Sequence, residues 1–181
     1  MESRTKVLGH PAHTQVIVFP LGLLSTALIF DLLALATKNR KTAEAADAML
    51  VSGLVGAAVA APLGYRDWRA IPEGTRAKEI GRWHGIGNVG VTALFAASWL
   101  LRRNDPGRPP AGAPVALSLA GAGLALVTGW LGGELVYRLR VGVDEGAHLD
   151  APSSLSDTPP VAFSDTTPGT VDEPDAGDAS G

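Results

Sequence analysis

The chain has 181 residues, 46% of them apolar, and a formal net charge of −3, a length that holds one domain of ordinary size. The net charge hides an asymmetry: all fifteen Lys and Arg lie at or before Arg140, while nine of the eighteen acids follow it. The lack of cysteine excludes disulfides, thiolate metal sites and cysteine nucleophiles, and the lack of a basic patch interleaved with aromatics argues against nucleic acid as a partner.

The first apolar block runs from Val16 to Ala36 and is closed by Lys38, Arg40 and Lys41. A helix of that length rises about 30 Å, enough to cross a hydrocarbon core. Arg4 and Lys6 before it and Ala34-Leu35-Ala36 at its end give it some likeness to a cleaved signal. Signal cores usually span only about 7–15 residues, and this block also contains Asp31, so it is read as a retained span. The second block, Ala43 to Gly64, is rich in Ala, Gly and Val. It is expected to end near Pro62, with Tyr65 and Trp68 at the aromatic belt. The third block, Trp83 to Leu101, stops at Arg102 and Arg103; a Pro/Gly loop from Pro106 to Pro114 leads to the fourth, Val115 to Tyr137.

Continuous apolar runs with charges at their ends indicate helices, since barrel strands would alternate over about ten residues. The expected fold is therefore an all-α integral membrane protein, a four-transmembrane-helix bundle over residues 1–143. Its spans are 16–36, 43–64, 83–101 and 115–137. Residues 144–181 are expected to form a disordered acidic C-terminal tail, because Pro, Ser, Thr, Asp and Gly cannot bury enough surface to offset ordering entropy.

Small residues four apart suggest the contact faces. They are Ser52, Gly56, Ala60 and Gly64 in the second block, and Gly81, Gly85, Ala93 and Ala97 with Val89 in the third. In the fourth they are Gly121, Ala125, Gly129 and Gly133. Nine Lys and Arg fall on the side of the N-terminus and six on the other, which favours cytoplasmic termini in the cell membrane.

Even numbers of crossings bring His10, His13, Arg66, Asp67, His84, Asn88, Glu134, Tyr137 and Arg138 to one membrane face. His84, Asn88 and Thr92 share a helix side, and Glu134 and Arg138 are an i,i+4 pair. The favoured reading is a polar collar that packs and orients helices. The alternative is a b-type haem held by imidazoles from facing helices, with His10, His13, His84 and Glu134 as candidate cofactor-binding residues. Further alternatives are a divalent metal on His10, His13 and a carboxylate, or ion passage past Asp31 and Glu134. Asp31 lies near the opposite face, where Lys38 and Arg40 are its expected partners. Gly85-Ile-Gly-Asn-Val-Gly90 matches GxGxxG, but Arg82 and Trp83 precede it where a dinucleotide site needs a strand. No nucleophile signature is present.

Several segments together resemble a four-span bacterial membrane family, domain of unknown function 2231. They are Gly9-His10-Pro11-Ala12-His13, Val18-Phe19-Pro20-Leu21-Gly22 and Phe30-Asp31, then Asp67-Trp68, Ala70-Ile71-Pro72 and Gly74-Thr75-Arg76. His84-Gly85, Gly87-Asn88 and the run Gly129 to Val136 complete the set, which ends at Val141-Gly142-Val143. The resemblance implies four membrane helices and supplies no activity. Some members carry fused iron–sulfur domains, which this chain lacks. Some have a histidine before the Phe-Pro step of the first span, where Val18 stands here; that counts against a buried haem ligand. The expectation is a non-enzymatic structural or binding component with no cofactor, whose partners are the lipid bilayer and a second copy or another membrane protein.

Overall fold

The computed structural model describes residues 1–156. A short antiparallel hairpin, β1 (Lys6–Val7) and β2 (His10–Pro11), opens the chain. Its two central residues, Leu8 and Gly9, both have positive φ, 52° and 81°. That is the backbone a tight two-residue hairpin turn requires. The helices follow: α1 (Ala12–Val16), α2 (Val18–Thr37), α3 (Arg40–Ala70), α4 (Arg76–Arg102) and α5 (Ala113–Gly133). A π-helical turn, Glu134–Arg138, continues α5.

With α1 and α2 forming one slightly broken rod, the described residues contain four apolar helical segments long enough to cross a bilayer: Ala12–Thr37, Arg40–Ala70, Arg76–Arg102 and Ala113–Arg138. Each extends beyond the block seen in the sequence. Hydropathy marks only the part in hydrocarbon, whereas a helix continues until a cap or a breaker stops it. The 31 residues of α3 rise about 46 Å, well past a hydrocarbon core of about 30 Å. The helix does not end at Pro62 but runs eight residues further. Proline removes one backbone donor, a loss that membrane helices tolerate when neighbours compensate. Close to this point His13 is anchored on α3, its Nδ1 bonding Ala60 O at 3.0 Å, while the carbonyl that Pro62 leaves without its helical donor is that of Ala58.

The connections are short and capped. Lys38, in left-handed conformation, ends α2, and the Asn39 side chain accepts from the amides of Lys41 and Thr42 to start α3. Thr75 caps α4 by accepting from the Lys78 amide. Between α3 and α4, Lys78 is nearly buried. Its Nζ donates to Trp68 O and Ile71 O, both at 3.2 Å, and lies 4.3 Å from the Trp68 ring centre. It thereby adds a donor to two carbonyls at the end of α3, of which Trp68 O also accepts from the Ile71 amide. Trp68 is thus docked on α4, its indole donating to Lys78 O, while Tyr65 stays exposed as expected of a belt residue.

The helices pack chiefly as two pairs, α2 with α3 and α4 with α5. Leu24, Ala27, Leu50, Val91 and Phe95 form the core where the pairs meet. Small residues make the close approaches, and the four-residue stripes pick out part of them: Gly56, Ala60 and Gly64 in α3, Gly81 in α4 and Gly121 in α5 are buried or closely packed, while other members are not. A Cβ on Gly53 would lie 2.8 Å from Leu24, and one on Gly56 3.1 Å from Pro20; Ser52 is exposed. In α4, Gly87 and Gly90 face Thr128 and Leu124, whereas Gly85 and Gly129 have open space around them and Val89 is 70% exposed. The cause is geometric: steps of four overrun a 3.6-residue turn by about 40° each, so a long stripe winds off the contact face.

Residues 144–156 form turns against the N-terminal segment. Lys6 Nζ reaches Asp144 at 3.2 Å, and Ser154 Oγ donates to Leu8 O. The rest of the expected disordered tail, 157–181, lies outside the described residues.

Candidate functional site

On the face that carries the N-terminus, the polar residues gather by topology yet divide into separate partnerships. α1 carries His13 against α3, where Gly64 leaves room for the ring: a Cβ there would meet His13 Cε1 at 2.8 Å. α4 carries His84 against α5. Its Nδ1 lies 2.9 Å from Thr128 O, which can only accept, so Nδ1 bears the proton. Nε2 then accepts from Asn88 Nδ2 at 3.2 Å, and the Thr128 hydroxyl shares its one proton between Asn88 Oδ1 at 3.3 Å and Ala125 O at 3.1 Å. Thr92 donates to Asn88 O. This closed network ties the middle of α4 to α5 and fixes one tautomer of the imidazole.

Glu134 faces a different set. Arg76 Nη2 lies 2.8 Å from one carboxylate oxygen and Arg138 Nε 4.0 Å from the other. The pair expected within the helix is therefore the longer of two contacts, and the closer partner comes from the start of α4. Asp67 accepts from Ser3 Oγ and from the Arg4 amide at 2.7 Å, holding the N-terminus to the end of α3. His10 is exposed, with Ser154 Oγ 3.4 Å from its Nε2. Among the described residues no three His, Asp or Glu side chains gather as a metal would need.

The opposite face holds a cluster that the sequence showed only in part. Asp31 on α2 is not answered by Lys38 or Arg40. Arg102 Nη1, from the last residue of α4, donates to Asp31 Oδ1, while Arg40 pairs with Glu44 on the outside. Asp47 on α3 lies 3.8 Å from Arg102 Nε. Arg102 reads in sequence as a charge that ends a span, but its side chain turns inward and is 7% exposed. Equal depth was the available signal: Asp31 lies six residues before the end of α2, and Asp47 seven after the start of α3.

The GxGxxG segment lies wholly inside α4, so its glycines serve helix packing at Gly87 and Gly90. Comparison with curated proteins and with solved structures gave no match to this chain. A family model described as a predicted membrane protein, DUF2231, matches residues 9–145. That range takes in both helix pairs, the polar collar and the buried ion cluster, and the chain belongs to this membrane-protein family.

Proposed function

We propose that this chain is a non-enzymatic component of the cell membrane. In this reading its polar collar serves to lock the helices, and its outer faces meet lipid, a second copy or another membrane protein. The observation that carries the reading is the commitment of the His84 imidazole. Both nitrogens of His84 are engaged, Nδ1 by Thr128 O and Nε2 by Asn88. A metal or haem ligand needs a free nitrogen lone pair facing open space. At His84 the ring instead abuts Gly132, where a Cβ would lie 3.2 Å from Cε1. The Lys and Arg distribution, nine against six, supports cytoplasmic termini.

The second reading is a haem-binding redox component, favoured by the placement of His13 on α1 and His84 on α4 towards the same membrane face. An absorption spectrum separates the two. Protein purified in detergent from a haem-replete host should show no Soret band, and His84→Ala should cost about 1–2 kcal/mol of helix association, the scale of an interhelical polar contact. A stoichiometric, reducible haem spectrum that His84→Ala abolishes would overturn the proposal.

A further inference from the structure

The Asp31–Asp47–Arg102 cluster joins α2 and α3 to α4, at the meeting of the two helix pairs. Counted from the helix ends, the two carboxylates lie about 9–10 Å inside their helices. Asp31 is 1% exposed, Arg102 7% and Asp47 16%. Arg102 Nη1 bonds Asp31 Oδ1, but Arg102 Nε and Nη2, Asp31 Oδ2 and Asp47 Oδ1 are buried without a hydrogen-bond partner among the described residues. These atoms belong to side chains aimed at one another, so the cluster has unused donors and acceptors in the same small volume.

Its charges do not balance. The guanidinium stays protonated, and two ionised carboxylates against it leave one negative charge. Among the described residues no other element supplies the missing positive charge. Between Ala113 and Gly133, α5 has no ionisable residue. On α3, Arg40 is taken by Glu44 on the exposed side and Lys41 faces outward. Lys38 after α2 and Arg103 and Arg108 after α4 are also exposed. An uncompensated buried charge is costly, and two carboxylates that share a site relieve it by keeping one proton between them. Ionisable residues held inside a bundle are also where proton pathways of membrane proteins run.

We propose that Asp31, Asp47 and Arg102 form a site for one exchangeable proton, reached from the face of the 38–39 and 103–112 connections through Asp47. Uptake forms one O–H bond on a carboxylate oxygen and takes the cluster from one net negative charge to zero; release returns the proton to water on that face. The carboxylates bind the proton as a pair, since either carboxylate alone would be balanced by Arg102.

Infrared difference spectroscopy of the full chain in lipid nanodiscs tests this. At neutral pH a single carbonyl band of a protonated carboxylic acid, shifted by deuterium, should be present and should vanish at alkaline pH. Asp31→Asn and Asp47→Asn should each abolish it, and Glu134→Gln should leave it intact. Both Asn variants are near-isosteric and remove excess charge, so they should fold, which thermal unfolding checks. Absence of the band at neutral pH would overturn the proposal. So would loss in only one Asn variant, which marks a single desolvated acid. A band that grows when sodium is replaced by a bulky organic cation would also overturn it, assigning the balancing charge to a metal ion.

Discussion

Lys6 stands between two carboxylates, Glu2 Oε2 at 2.7 Å and Asp144 Oδ2 at 3.2 Å, and so ties the start of the chain to the segment after the last helix. The Gly146 amide, donating to Asp144, and then Lys6 hold the Asp144 carboxyl below its ordinary 3.8. The Glu2 carboxylate raises Lys6 above its ordinary 10.5. A depressed carboxylate contributes stability above its ordinary value and loses it as pH falls through the depressed one. A raised lysine contributes below its ordinary value and loses it as pH rises through the raised one. The tether should therefore hold over the whole range between. It should contribute less than about 1 kcal/mol, since surface pairs are screened by solvent and Asp144 is 44% exposed. The Gly146 amide resonance should titrate with a midpoint below 3.8; a midpoint at or above that value would contradict the assigned partners.

For the helices, the packed faces make opposite forecasts for glycines of similar sequence setting. Gly87→Ala drives a methyl into Thr128 of α5. Overpacking of this kind costs about 1–3 kcal/mol, so the α4–α5 pair should loosen and the melting temperature in detergent should fall. Gly129→Ala meets nothing within 4 Å and should be neutral or slightly stabilising. A large loss at Gly129 would mean that this face packs against a second chain. The sequence could locate all four helices, because block length and end charges depend only on local composition. It could not set their rotation. Assigning Gly85, Val89 and Ala93 to a contact face failed because the true face follows 3.6 residues per turn through Gly87, Val91, Phe95 and Ser98. The same blindness hid the ion cluster. Asp31 stood out in its apolar block, but Arg102 lies 71 residues away, and only the register of α4 against α2 turns it inward.

Taken whole, the chain folds as two helix pairs whose opposite ends carry different chemistry. The face with the N-terminus has the separately bonded imidazoles of His13 and His84 and the Glu134 cluster, and the other has the buried acid pair with Arg102. That arrangement depends on four crossings, with residues 4, 73 and 149 on one side and 41 and 104 on the other. The absence of native cysteine makes the test direct. Single substitutions Arg4→Cys, Glu73→Cys, Leu149→Cys, Lys41→Cys and Asn104→Cys, all at exposed positions, are labelled in intact cells with a membrane-impermeant maleimide and again after lysis. Positions 41 and 104 should label in intact cells, and positions 4, 73 and 149 only after lysis. The reverse pattern would refute the cytoplasmic termini alone, whereas labelling that groups 41 with 73, or separates 73 from 149, would contradict the four-span bundle itself.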